Sequence, residues 1–562
     1  MAKPSKFIPL DQPFFHADHP RPRTRREMLA QGFTFGTGLA LTSPLAFLSQ
    51  SVSAALTIDS ELPNGCRVGA AGNDKIPFIC FDLAGGANTA GSNVLVGRQG
   101  GQLDILDTAG YNKQGLPGDQ IPVISNDPQV PNQFVDETFG LRFHSDSQML
   151  AGMLEKAGPN AAFNAAQFTN GAVIPARSQN DTQNNPHNPM YGIARAGDVR
   201  DPSNALSGLG GANGAVVSLI GSRNSDSGGN SMAPAGLMDL AFRPTKIDRA
   251  SDATGLVDLG GLVNLPGSID ERTAILEAAF RLSHDKMSQL NTQITGSNGI
   301  GGLTDAELRD AIRCAYAQSA DLADRFGAGS ASLSPFYTGN PAGSDTVING
   351  QIFTTAELNG DNEFEKTASV MKLVIDGLAG AGTITMGGYD YHTGNRSTGE
   401  ARDLRAGRCI GACLAYAAAR GRPLMIYVVS DGSVFSNGMI DGSQAGRGKG
   451  VWTGDNQQTA AAFMLVYDPR RRPAISTQGS ESDPELHQQL GWMSGGGDVV
   501  TSSSPAANNV EALVNMVVLN YMALHQEIGL FSTKFGNHGL GSELERWVAF
   551  DPLYNQTMAS PI

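Results

Sequence analysis

Basic residues are in short supply in this chain: Lys and Arg total 40 against 54 Asp and Glu, a formal net charge of −14 at pH 7 over 562 residues. That balance leaves no basic face for a phosphate backbone and argues against nucleic acid as a partner. Cysteine is scarce as well, with 5 residues. Cys66 and Cys80 lie near each other in sequence, and Cys409 and Cys413 stand at i, i+4 on one face of an expected helix. Neither pair has a second Cys or His pair at zinc-knuckle spacing. A bridge between Cys66 and Cys80 stays open in an oxidising compartment. Cys80, however, falls inside a strand-like run, and a chain of this length needs no staple. There is no nucleophile elbow, which counts against a Ser-His-Asp hydrolase. No feature points to a nucleotide, haem or flavin, and there is no internal repeat.

A long apolar run is also missing. The stretch from about Phe33 to Phe47 is Gly-, Ala- and Leu-rich, broken by Pro44, and too short and mild for a transmembrane anchor. Its surroundings give it another meaning. A polar head carrying Arg25-Arg26 precedes it, and the small residues Val52-Ser53-Ala54 follow. Charged head, apolar middle and small-residue cut site are the parts of an export signal, and the paired arginines mark the twin-arginine variant. The expectation is a signal over residues 1–54 and a mature protein, 55–562, in the periplasm or beyond, with no anchor once the signal is cut. The twin-arginine route carries folded cargo, which fits a cofactor loaded before export.

What remains is rich in material for a core and for loops. Hydrophobic residues make up 40% of the chain, and glycine, at 69 residues, is abundant. Ile76–Leu83 is a short apolar run ending in Asp82, followed by the Gly-rich turn Ala84–Ser92. Thr383–Met386 leads into Gly387-Gly388-Tyr389-Asp390-Tyr391-His392. Pro423–Val429 runs into Ser430-Asp431-Gly432, and Ala461–Tyr467 is a further strand. Continuous apolar runs bounded by glycine are the signal of buried parallel strands. Helices are expected in part of 136–157, over 400–420 and over 508–530. Capping boxes open two more, over 268–292 (Ser268 to Glu271) and 303–326 (Thr304 to Glu307). Strands alternating with helices predict one α/β domain, a mostly parallel sheet covered on both faces, with a helical insertion at about 268–330.

Three of these strands end in acids, Asp82, Asp390 and Asp431, where open α/β sheets place their sites. Alternate residues of an extended segment point the same way, so Asp390 and His392 can face one ion. Gly387 and Gly388 free the backbone to bend there. Carboxylate with imidazole suits zinc or manganese better than magnesium. His187 lies in a polar loop, Ser178–Asn188, able to fold over the same edge. Asn88, Thr89 and Ser92 follow the first strand, where a hydroxyl nucleophile would stand. His144, His284, His487, His525 and His538 carry no spacing signal. Asp82 and Asp431 have a plainer reading too, as caps of the turns that follow them.

The export signal, the first strand with its Gly-Gly-Ala-Asn turn, the Gly-Gly-x-Asp-x-His segment at 387–392 and the strand ending Val-Val-Ser-Asp-Gly resemble, together and over nearly the whole mature chain, a family of secreted bacterial proteins, domain of unknown function 1501. That family is distantly similar to the alkaline phosphatase and sulfatase superfamily. The resemblance implies an alkaline-phosphatase-like fold with Asp82, Asp390, His392 and Asp431 as metal-side positions; Thr89, Ser92 and His187 are the candidates for chemistry that the residues themselves offer. The sequence departs from the family pattern in two places. Ser430–Ser433 lacks the usual acid followed by Gly-Arg, and Asp455 is not followed by the histidine often found there. One metal instead of two, an amide ligand or a lost activity would each fit. The expectation is a divalent-metal-dependent hydrolase of a phosphate- or sulfate-type ester, small or polymeric, with Arg396 or Arg405 offsetting the acidic charge. The rival is a non-catalytic secreted binding or assembly protein on a degenerate hydrolase fold. Oligomeric state is left open.

Overall fold

The computed structural model describes residues 75–127, 129–178, 186–197, 219–222, 232–238, 244–255, 333–337, 346–394 and 396–553. They belong to one compact unit, which takes in 64–265 and 321–562. The export signal, Cys66, His284, the polar residues 179–185 and both expected helices of 268–326 lie outside the described residues.

The runs read as strands from their apolar continuity form the centre of a sheet. β1 (Phe78–Leu83) is buried along its whole length. Two residues each make up β2 (Val135–Asp136) and β3 (Phe143–His144), a small antiparallel pair. β4 (Thr169–Pro175), β5 (Leu219–Gly221), β6 (Thr245–Lys246), β7 (Ala381–Met386) and β8 (Leu424–Val429) follow. A hairpin comes next, β9 (Ser433–Ile440) and β10 (Gly450–Asn456), and then β11 (Ala461–Tyr467). Among the described residues the main sheet has the order β4-β11-β8-β1-β7-β5-β6. All its pairings are parallel except those of β11, which runs against both β8 and β4. The fold is thus α/β with a mostly parallel sheet.

Alternation along β1 divides the core in two. Ile79, Phe81 and Leu83 pack on one face, with α1 (Gln148–Ala157), α3 (Asn362–Ile375) and α4 (Ser397–Arg420). Phe78 and Cys80 pack on the other, with α2 (Met190–Gly197) and α5 (Val510–Leu524). Cys80 is a free, fully buried thiol, so the open question of a bridge to Cys66 closes in favour of a core residue. Cys409 and Cys413 are likewise free and buried on α4. No helix of the described residues is long and apolar enough to cross a membrane.

Candidate metal centre

The register fixes where the acids fall. Asp82 pairs with Thr385 of β7 on one side and Val429 of β8 on the other, so the C-terminal ends of three adjacent parallel strands lie level. Met386 and Val429 are the last residues of their strands, and Asp390 and Asp431 follow at the same sheet edge.

Beyond β7 the chain leaves the ladder and turns tightly about Asp390, where Tyr391 N donates to Tyr389 O at 2.9 Å, yet its side chains still alternate. Tyr389 and Tyr391 turn inward and are buried, while Asp390 and His392 turn outward, with side chains 49% and 32% exposed. Each phenol is anchored on α4: Tyr389 Oη donates to Arg402 O at 3.0 Å and Tyr391 Oη to Asp403 Oδ1 at 3.3 Å. Tyr391 Oη also accepts from Asn88 N at 2.8 Å, which ties the segment to the turn after β1. Gly388, at φ +87, supplies the bend expected of the double glycine; Gly387 has no such φ and faces open space.

A third ligand arrives from the hairpin, by a route the sequence does not display. β10 pairs antiparallel with β9, Asp455 opposite Val434, and so returns to the sheet edge where β9 began. Among the described residues, Asp390, His392 and Asp455 are the group able to hold a metal ion, each offering one ligand atom within 4.8 Å of the others. His392 Nδ1 lies 2.5 Å from Asp390 Oδ1 and 4.0 Å from Asp455 Oδ2. It makes no hydrogen bond with either. Around a tetrahedral ion with bonds of about 2.1 Å, neighbouring ligand atoms stand about 3.4 Å apart. The two observed separations lie on either side of that value, so both carboxylates would have to adjust to meet one ion. Two carboxylate oxygens and one imidazole nitrogen would fill three positions around such an ion.

Asp82 and Asp431 are not among these converging atoms. Both are buried, at 2% and 0% exposure. Asp431 Oδ1 accepts from Gly85 N at 2.6 Å, and the adjacent Ser430 Oγ accepts from Ala87 N at 2.8 Å and donates to Leu83 O at 2.6 Å. Asp431 thus holds the turn after β1 from the neighbouring strand end, not the turn that follows it in the chain. Thr89 and Ser92, the hydroxyls placed after β1, are 2% and 1% exposed, and Ser92 Oγ accepts from Asn88 Nδ2. His187 is 2% exposed, and burial presses its pKa down to about 3, so it is neutral at ordinary pH. Its neighbour Asn188 bonds Thr383 Oγ1 and caps α2 through Met190 N. Arg396 is fully buried and turned inward, whereas Arg402 and Arg405 both reach Gly387 O, at 3.1 and 3.4 Å, beside the end of β7. The other described histidines bond backbone: His144 to Gln120 O, His487 to Val548 O and Glu481 O, His525 to Tyr521 O, and His538 to Leu540 N.

Asp403, which receives the Tyr391 phenol and also Asn93 Nδ2 at 2.8 Å, is 2% exposed. Burial, and then the nearby Glu400 carboxylate, raise its pKa from 3.8 to about 7. A carboxyl whose folded pKa lies above its unfolded one favours folding most below about pH 4, and that contribution is lost as pH rises through 7. Asp403→Asn is expected to flatten this slope, removing about 2–4 kcal/mol of the stability difference between pH 4 and pH 8. Urea unfolding of both proteins at the two pH values checks it; parallel slopes would contradict a proton held on Asp403.

No family model, curated protein or solved structure matches this chain, so what the site does must be argued from its own geometry.

Proposed function

We propose that this protein is exported and binds a divalent metal, zinc or manganese, at Asp390, His392 and Asp455, and that it hydrolyses a phosphate- or sulfate-type ester there. The convergence of those three side chains at the C-terminal edge of the sheet carries the reading. When bound, such an ion polarises an ester oxygen and lowers the pKa of a coordinated water. The protein's part is to hold the ligands half-exposed, and to set Arg402 and Arg405 beside the strand end, where their charge favours an anionic substrate. Because Thr89 and Ser92 are buried, a coordinated water is the better nucleophile.

The test is release of p-nitrophenol from its phosphate and sulfate esters by the purified protein with added manganese or zinc. Metal-dependent turnover that disappears in Asp390→Ala is expected. Metal bound without turnover would favour the second reading, a non-catalytic binding protein, which the buried hydroxyls also fit.

Export is tested separately. Changing Arg25 and Arg26 together to Lys is expected to leave full-length precursor in the cytoplasm, seen by fractionation and blotting. Processed protein at normal periplasmic levels would contradict the twin-arginine route.

A further inference from the structure

The strand that brings Asp455 to the centre is irregular in its first half. The pairing of β10 with β9 shifts register twice, between Gly450 and Trp452 and again between Trp452 and Gly454. Each shift bends and re-aims the strand that carries it, and a metal ligand must be placed to within about half an ångström. Past the second shift the ladder is regular, with Gly454, Asp455 and Asn456 opposite Phe435, Val434 and Ser433, so what has to be fixed is where the start of β10 sits.

The start of β10 is gripped by a buried ionic and aromatic assembly. Arg396, Lys449 and Trp452 are all 0% exposed, and Glu400 is 5%. The Arg396 guanidinium lies 4.3 Å from the centre of the Trp452 ring and donates from Nη1 to Gly450 O at 3.2 Å. Its Nε and Nη2 each stand 2.7 Å from Glu400 Oε1. Glu400 Oε2 takes Lys449 Nζ at 3.0 Å, and that ammonium also donates to Asp146 O at 2.7 Å. Gly115 closes the far side: a Cβ there would stand 2.3 Å from Arg396 Nη1 and 2.8 Å from the Trp452 ring. The same strand is tied to the other ligands, because Gly394 N, two residues past His392, donates to Trp452 O at 2.9 Å. Trp452 lies three residues before Asp455.

Two buried cations shared between the buried Glu400 and the part-buried Asp146, 3.3 Å from Lys449 Nζ, are a poor way to gain stability, since desolvation offsets most of the attraction. What they do supply is direction. A planar guanidinium that must at once stack on one ring, meet one carboxylate and reach one carbonyl has a single solution. We infer that Arg396, Glu400 and Lys449 are positioning residues, a clamp that locks the start of β10 to the first turn of α4 and so sets the distance from Asp455 to Asp390 and His392. The inference rests on the metal-centre reading above.

The experiment compares the full-length wild type with Arg396→Met/Glu400→Leu/Lys449→Met, an apolar replacement of similar volume that removes every charge of the trio and leaves the Asp146 carboxylate paired with Arg447. Two quantities are read: manganese affinity by electron paramagnetic resonance titration, and amide hydrogen exchange over Thr453–Asn456. The expected result is a folded variant with a melting temperature at or above that of the wild type, a manganese affinity about 10–100-fold weaker, and faster exchange at those amides. Arg396→Lys, which keeps the charge but loses the planar fork, guards against a triple variant that fails to fold, and is expected to show an intermediate loss of affinity. Wild-type affinity and exchange in either folded variant overturn the clamp. A wild type that binds no manganese overturns the metal centre instead, and the exchange rates then still decide whether the trio fixes Asp455.

Discussion

His392→Ala, Asp390→Ala and Asp455→Ala proteins are each expected to lose nearly all bound manganese or zinc while the metal-free fold stays close to that of the wild type. Three ligands are few, so removing one costs more than the roughly 10–100-fold that follows loss of a hydrogen-bond partner behind a ligand. The fold is spared because all three side chains are half-exposed at a strand end and a hairpin base. Changes at such positions usually fall within about 0.5 kcal/mol. Removing either carboxylate also relieves repulsion between Asp390 and Asp455 in the metal-free state. Added manganese should therefore raise the melting temperature of the wild type, as any ligand that binds only the folded state does, and leave the three variants unmoved. Elemental analysis and thermal melts with and without metal decide the matter. Equal metal content in wild type and all three variants would end the metal reading and leave a turn in which these side chains merely face solvent.

Gly85→Ala is expected to damage the fold itself. Gly85 sits at φ +123, a region closed to side chains, and a Cβ there would come within 2.7 Å of Asp390 N and 2.9 Å of Asp390 Cβ. Its own N–H is committed to Asp431 Oδ1, so the turn cannot swing away without breaking that bond. Backbone strain of about 1–3 kcal/mol and overpacking of similar size combine here, and a loss of at least about 3 kcal/mol, or of soluble protein, should follow. Gly387→Ala is the control. That glycine directly follows β7, but a Cβ on it would meet nothing within 4 Å, and its φ is not positive, so the substitution should be nearly silent. Denaturant unfolding of the two variants checks the contrast, and a Gly85→Ala protein as stable as the wild type would refute it.

Much of the fold is legible in the sequence because its central strands are marked by uninterrupted apolar residues and its long helix by length. β1, β7, β8 and β11 fall within a few residues of where the apolar runs place them, and α4 begins at Ser397 against an expected 400. The expected helix of 508–530 is divided, since α5 ends at Leu524 and a second helix begins at Ile528. β4 is hidden because Asn170-Gly171 reads as a turn, although all seven of its residues are buried against β11. The direction of β11 cannot be read at all, because an apolar run looks the same in either sense. Asp390 and His392 are legible from spacing. Asp455 stands out in the sequence as a position lacking its histidine, not as a ligand, because the hairpin that delivers it is polar, bulged and tied to the rest of the site by folding alone. Burial of Thr89, Ser92 and His187 is hidden for the opposite reason: polar turns look exposed until something packs over them.

The order of strands in the sheet also sets a timetable for synthesis. β1 emerges early, yet both of its neighbours, β7 and β8, come late, and the bond from Gly85 to Asp431 spans 346 residues. At about 5–20 residues per second, that interval is roughly 20–70 s. Through it, Phe78, Ile79 and Phe81 belong to a strand with both edges unpaired, a template for association with other nascent chains. Loop closure over such a separation is slow in itself. A ribosome-bound chain halted before Leu424 should therefore lean on chaperones, and one released past Tyr467 should not. Closing the centre of the sheet therefore waits on the last third of the chain.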